Sequence, residues 1–265
     1  MVVAAFGAAA AEPHPLEALE RAQQEIYARV APSVVLLATP TSLGSGVAVG
    51  PGGLVLTNRH VVGKATRLEA VLLDGRRASA TLVRAAEDLD LALVSVAAEV
   101  PVATLTRGAP VHIGAWVASV GHGAGGGWTF TTGMVTNIYP AGQDRAVFQT
   151  QLPVNAGNSG GPVLDREGRA IGVVTAGLTE SDSINFAIRM EEAFRAFPEL
   201  DAVCGCLVVT APANVPVFVD GAHAGTGPRL VLWPAPGVHE ASAVVDGRLA
   251  RVPFSFPEVH AVRVE

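Results

Sequence analysis

The chain is poor in cysteine, in aromatic residues and in charge, and each shortage narrows what it can be. Only Cys204 and Cys206 occur in 265 residues, with Gly205 between them. A bridge closing so small a ring is strained, so the pair reads as free thiols and not as a structural disulfide. Aromatic residues make up 5% of a chain that is 49% hydrophobic, so its cores are built from Val, Ala and Leu. The formal charge is −6 and there is no basic block. Nucleic-acid binding needs clustered Lys and Arg, so it is excluded as a function. No His-Glu-x-x-His segment or paired Cys-x-x-Cys occurs, and His14, His112, His122, His223, His239 and His260 lack metal-ligand spacing. A zinc centre is therefore not expected, and neither is any other metal or cofactor. The glycine run at 123–127 lacks a Gly-Lys-Ser/Thr ending and leads into a β-branched run, so it is not a phosphate loop. His122, beside it, reads as part of a mobile loop.

What the chain has in quantity is glycine (29) and proline (18), which suits many short strands joined by tight turns. Leu16, Leu19, Ile26 and Val30 recur at roughly helical spacing and predict one helix over 16–30, ended by Pro32. Beyond it the apolar runs are short and β-branched. One set of six lies at 34–39, 46–49, 54–57, 68–73, 78–84 and 91–96. A second set of six lies at 116–120, 129–138, 147–152, 162–165, 170–175 and 183–188. Two groups of six fit two antiparallel barrels, which leave no open edge. A short closing helix is expected at 190–197.

The densest signal is the octet Asn155-Ala156-Gly157-Asn158-Ser159-Gly160-Gly161-Pro162. Glycines on both sides of Ser159 permit a sharp turn that can aim backbone N–H groups at one point beside the hydroxyl. A serine hydroxyl is a poor nucleophile alone. Acyl transfer needs a base and a pocket for the developing oxyanion as well. Upstream, the run Leu54-Val55-Leu56-Thr57-Asn58-Arg59-His60 reads as a buried strand ending in a histidine. The run Glu87-Asp88-Leu89-Asp90-Leu91-Ala92 places an acid before an apolar run. The order His, Asp, Ser is one of the known orders of the serine triad.

These blocks carry a resemblance. Thr57-Asn58-Arg59-His60-Val61-Val62, Asp90-Leu91-Ala92 and Gly157-Asn158-Ser159-Gly160-Gly161-Pro162 resemble the catalytic blocks of the HtrA (Deg) group of trypsin-like serine proteases. Ile184-Asn185-Phe186-Ala187-Ile188 resembles a substrate-pairing strand of that family. The similarity runs from near Val30 to near Phe194. It implies an all-β fold, a chymotrypsin/trypsin-like double β-barrel, with the site in the cleft between barrels. It implies Ser159 as nucleophile, His60 as base and Asp90 as the acid that orients the imidazole, with Asp88 as competitor. The N–H groups of Gly157 and Ser159, with Asn158, would form the oxyanion hole. Leu152, Pro153, Asn185, Phe186 and Ala187 would contact substrate. Pro153, six residues before Ser159, falls at the base of the S1 pocket in that fold. It carries no negative charge, so small or medium aliphatic P1 residues are expected.

After Pro198 the pattern changes. Val217-Phe218-Val219-Asp220-Gly221 and Pro236-Gly237-Val238-His239 are similar to a PEGA domain, a small β-sandwich. The Pro-Glu-Gly-Ala motif itself is degenerate, with Pro212-Ala213-Asn214-Val215 in its place. Asp220-Gly221 is a hairpin signal. The PDZ domain common in the HtrA group has no counterpart of its carboxylate-binding loop here. The expected organisation is a leader at 1–15, a protease domain at 16–197, a linker at 198–205 and a β-sandwich at 206–265. The apolar start is too short to span a bilayer. It resembles the end of a secretory signal, with an Ala-x-Ala pattern before Glu12 but no basic n-region. The reading is an exported serine endopeptidase, periplasmic or secreted, acting on protein or peptide substrates, with a cell-envelope partner for the C-terminal domain. The competing readings are a latent protease-fold module that binds peptides and an envelope protein in which the PEGA-like domain is the working part.

Overall fold

The computed structural model describes residues 14–265 except 109, 124–125, 139–145, 176–183, 199, 201–206, 233, 236, 257–258 and 260. Residues 1–13 of the expected leader at 1–15, both cysteines and His260 therefore lie outside the described residues.

The chain enters through α1 (Pro15–Val30). Proline at its start suits a position whose N–H has no intrahelical partner, and the His14 ring accepts from the Leu16 N–H at 3.2 Å. Ile26 and Val30 are buried, and Arg29 donates to the Glu167 carbonyl at 2.6 Å. The helix is thereby fastened to the far barrel.

Strands β1 (Val34–Ala38), β2 (Leu43–Gly50), β3 (Leu54–Thr57), β4 (Arg67–Val71), β5 (Arg77–Ala85) and β6 (Ala92–Val96) close into a barrel in the order β1-β2-β3-β6-β5-β4. Strands β7 (Trp116–Gly121), β8 (Thr129–Asn137), β9 (Val147–Thr150), β10 (Pro162–Leu164), β11 (Ala170–Val174) and β12 (Asn185–Arg189) close a second in the order β10-β11-β12-β9-β8-β7. The helix α3 (Met190–Ala196) follows. This is the expected double barrel.

Strand periodicity explains why several of these runs are apolar throughout. Successive side chains point to opposite faces. In β3 and β6, Val55, Ala92, Val94 and Val96 fill the first barrel, while Leu56 and Leu93 face outward. In β7 and β12, Val117 and Ala187 fill the second barrel, while Ala118, Val120 and Ile188 face outward. The outward faces meet in one core with Ile26, Val30, Met190 and Phe194 from the helices. Both faces of these strands are buried, so the barrels are held against each other by packing.

That shared core reaches past α3. Phe197 and Leu200 are fully buried in it, and Val208 is nearly so. The expected linker at 198–205 is therefore not free at its start. An apolar pair three residues apart, Phe197 and Leu200, holds the chain to the barrels.

The last strands form two sheets. β13 (Leu207–Thr210), β16 (Arg229–Leu232) and β19 (Ala261–Arg263) make one, in the order β16-β13-β19. β14 (Pro216–Val219), β15 (Ala222–Thr226), β17 (Gly237–Val245) and β18 (Arg248–Phe256) make the other, in the order β15-β14-β17-β18. Leu207, Val209 and Val262 from the first pack with Val217, Ala241, Ala243 and Phe254 from the second. Asp220 and Gly221 both take positive φ (50° and 77°) at the β14–β15 hairpin, as a two-residue turn of this type requires. Asp246-Gly247 does the same between β17 and β18, a turn signal the sequence reading passed over.

Candidate active site

His60 does not end a strand. β3 stops at Thr57, and His60 lies on the single turn α2 (Arg59–Val62). The Arg59 guanidinium donates to the carbonyls of Ala86 (3.2 Å) and Glu87 (2.8 Å). The buried Asn58 amide donates to the Asp90 carbonyl at 2.8 Å. These bonds hold the loop before β6 against α2 and so bring Asp90 to His60.

The Asp90 carboxylate takes three hydrogen bonds. The His60 N–H donates to Oδ1 at 2.9 Å, the His60 Nδ1 meets Oδ2 at 2.6 Å, and the Thr175 hydroxyl donates to Oδ2 at 2.9 Å. Burial pushes this carboxyl upward. The His60 ring and N–H bonds, the His60 charge and the Thr175 bond outweigh it and hold the carboxyl below the ordinary carboxylate range. An ionised carboxylate on Nδ1 assigns the ring proton to Nδ1, which leaves Nε2 with its lone pair. Asp88, the competing acid, is exposed. Thr175 was not anticipated from the sequence. Its one signal is a hydroxyl directly after β11, a strand whose residues are all buried.

Ser159 sits in the turn between β9 and β10. Gly157 (φ +102°) and Gly160 (φ +87°) adopt conformations that strain other residues. Space excludes a side chain as well: a Cβ would lie 2.3 Å from the His122 carbonyl oxygen at Gly157 and 2.0 Å from the Ser45 carbonyl oxygen at Gly160. The turn is tied to both barrels. The Ser45 N–H donates to the Ser159 carbonyl (2.8 Å) and the Gly160 N–H to the Val174 carbonyl (2.9 Å). Gly44 lies between Val61 and Ser159, since a Cβ there would sit 2.5 Å from Val61 and 3.1 Å from the Ser159 carbonyl. The neighbour of His60 and the serine turn thus face each other across β2. Among the described residues no hydrogen bond joins the Ser159 hydroxyl to His60.

One expectation for the oxyanion pocket is corrected. The Asn158 N–H donates to the Asn155 carbonyl at 3.0 Å, and its side chain is buried beside Gly121 and Gly123. Asn158 therefore offers no donor. The N–H groups of Gly157 and Ser159 have no hydrogen-bond partner among the described residues.

The expected substrate contacts divide. Leu152 and Ala187 belong to the closed core of the second barrel, because β12 alternates and turns Ala187 inward. They do not offer side chains to a ligand. Asn185 is also buried, and its amide donates to the Leu152 carbonyl at 2.7 Å. Pro153 is exposed and Phe186 half-buried. His122 is not in an open loop; it is 1% exposed. Among the described residues no three His, Cys, Asp or Glu side chains converge as a metal site would require.

Residues 44–173 match the trypsin-like peptidase domain. The chain is 34% identical over 166 residues to a probable periplasmic serine endoprotease, DegP-like, of Hahella chejuensis, covering 60% of this chain and 35% of that protein. It is 32% identical over 160 residues to the putative serine protease HhoA of Synechocystis, covering 57% of this chain and 41% of that protein. The chain thus spans less than half the length of these curated relatives. A crystal structure of the serine endoprotease from Yersinia pestis superimposes with a TM-score of 0.60 at 22% identity, over 88% of this chain and 96% of that one. That likeness bears on the fold alone.

Proposed function

We propose that the chain is a trypsin-like serine endopeptidase of the HtrA type acting through an acyl-enzyme on Ser159, a reading supported by the peptidase-domain match over residues 44–173. One observation carries the reading: a His60–Asp90 pair at 2.6 Å lies across β2 from a serine flanked by unpartnered N–H groups. The Ser159 hydroxyl attacks the scissile carbonyl carbon while His60 Nε2 takes its proton. Asp90 stabilises the resulting imidazolium and keeps its own proton off. The N–H groups of Gly157 and Ser159 receive the oxyanion. Collapse breaks the C–N bond, and His60 returns the proton to the leaving amine. Water then repeats the sequence on the ester and frees Ser159.

A second reading is a latent module that binds peptides without cleaving them. The unmade bond between the Ser159 hydroxyl and His60 favours it, although such bonds often tighten only when substrate binds. A fluorophosphonate probe separates the two: an active serine is labelled at Ser159, and a latent one is not. Absence of label on the folded chain overturns the endopeptidase reading.

For specificity we propose small or medium aliphatic P1 residues. Pro153 carries no charge at the proposed pocket base, and the neutral Asn185 amide is engaged by Leu152. A peptide library should show cleavage after Val, Ala or Ile and little after Lys or Arg. A dominant preference for basic P1 residues would show that the pocket lies elsewhere.

The name of one relative, a probable periplasmic serine endoprotease, supports a location outside the cytoplasm, and there we propose processing or quality control of envelope proteins. The two C-terminal sheets, packed on a shared core, support a PEGA-like accessory domain, for which we propose an envelope partner. We expect a chain ending at Ala202 to fold and keep most of its activity on small peptides, because every proposed catalytic group precedes the cut. Loss of Val208 from the shared core should cost roughly 1.5 kcal/mol, read as a lower melting temperature. An insoluble or inactive truncated chain would make the sandwich part of the enzyme's own core.

A further inference from the structure

Behind the serine turn lies a buried polar cluster that the peptidase chemistry does not use. The Ser45 hydroxyl, on β2, donates to the Gly157 carbonyl at 2.7 Å. The same oxygen accepts from the His122 N–H at 3.1 Å and lies 2.9 Å from the His122 Nδ1. Ser45 is fully buried and His122 nearly so. A hydroxyl has one proton to give. With that proton on the Gly157 carbonyl, the contact with Nδ1 is a hydrogen bond only if Nδ1 carries a proton and donates it. The other nitrogen, Nε2, then holds a lone pair, and it is buried with no partner among the described residues. The ring packs edge-on against Trp128 at 4.6 Å, and the Trp128 indole donates to the Val34 carbonyl at 2.9 Å. Burial pushes the His122 imidazole down to about 4, so it stays neutral in the neutral range.

The peptide held by this cluster is a consequential one. Its carbonyl, on Gly157, goes to Ser45, and its N–H, on Asn158, goes to Asn155. The unpartnered N–H groups of Gly157 and Ser159 stand on either side of it. Glycine leaves the backbone at 157 free to rotate between several conformations. Asn155 ties this peptide from within the turn and the Ser45 hydroxyl ties it from outside.

We propose that Ser45 and His122 are positioning residues for the oxyanion pocket: the Nδ1–H of His122 fixes the Ser45 hydroxyl, which holds the Gly157–Asn158 peptide in the orientation that leaves the Gly157 and Ser159 N–H groups unpaired. The inference rests on the endopeptidase reading and adds to it two residues that touch neither substrate nor reacting atoms.

The test has a spectroscopic arm and a kinetic arm. In the full-length chain with 15N-labelled histidine, the His122 ring should appear at neutral pH as the Nδ1–H tautomer, the minor form of free imidazole. Ser45→Ala should abolish that preference. An Nε2–H ring in the wild-type chain overturns the proposal, whatever the variants do. In kinetics, Ser45→Ala and His122→Leu should each lower kcat about 10- to 100-fold, less than removal of an oxyanion donor, with KM within about twofold. Fluorophosphonate labelling should slow in parallel. His122→Asn, whose amide N–H can stand where the Nδ1–H stood, should recover most of what His122→Leu loses. Equal rates in wild type and Ser45→Ala, with wild type labelled at Ser159, sink this proposal alone. A wild-type chain that takes no label sinks the endopeptidase reading and this one with it. Should His122→Leu not fold, Ser45→Ala, which removes one oxygen, and the wild-type tautomer still decide.

Discussion

Replacing Ser159 with alanine should lower kcat for peptide hydrolysis by a factor on the order of 10⁴ to 10⁶. The hydroxyl is the group proposed to attack, and no other described nucleophile lies in the turn. The fold should survive the change. The links from this turn to β2 and β11 run through the Ser159 carbonyl and the Gly160 N–H, and alanine keeps both. The melting temperature should therefore stay close to that of the wild type while turnover of casein disappears. Casein cleavage that persists in the purified variant, after controls for contaminating proteases, would remove Ser159 from its role.

Asp90→Asn should lower kcat by roughly 10⁴, for a reason specific to the bonds around it. The carboxylate accepts from the His60 N–H, from the His60 ring and from Thr175. Asparagine has one oxygen to accept and an NH₂ that must donate. With its oxygen on the His60 N–H, its NH₂ meets Nδ1 and forces the ring proton onto Nε2. The base then faces the serine with its lone pair on the wrong side. Because the neighbouring donors hold the Asp90 carboxyl below the ordinary carboxylate range, the wild-type rate should show no titration of this group near neutrality. Asp88→Asn, at an exposed position, should leave the rate close to that of the wild type. If Asp88→Asn abolished activity and Asp90→Asn did not, the acid would be misassigned.

Much of this molecule could be read without coordinates. The helix over 16–30 and the twelve strand positions follow from periodicity, because the parity of a strand and the stripe of a helix are written within a few residues. The turn around Ser159 was legible for a related reason. Its glycines are required by local backbone angles, at Gly157 and Gly160 above all. Smaller errors were also local. His60 was placed at the end of a strand because one turn of helix after β3 is too short to leave a periodic signal. Asp246-Gly247 is likewise a local turn signal.

What the sequence by itself determined is the order of the chemical groups, the number of strands in the two barrels and the faces they bury. All three depend on residues close together in the chain. Only the tertiary structure decided which polar groups meet. Thr175 reaches Asp90 from 85 residues away, the Ser45 hydroxyl reaches His122 across 77 residues, and it reaches the Gly157 carbonyl across 112. Whether Leu152 and Ala187 faced a ligand or a core also depended on such closures, whereas Asn158 spends its N–H locally, on the Asn155 carbonyl. Alternation tells a side chain that it is buried. It does not say which donor or carbonyl will be opposite, because that is fixed by how two barrels close and pack, with most buried polar groups finding partners there.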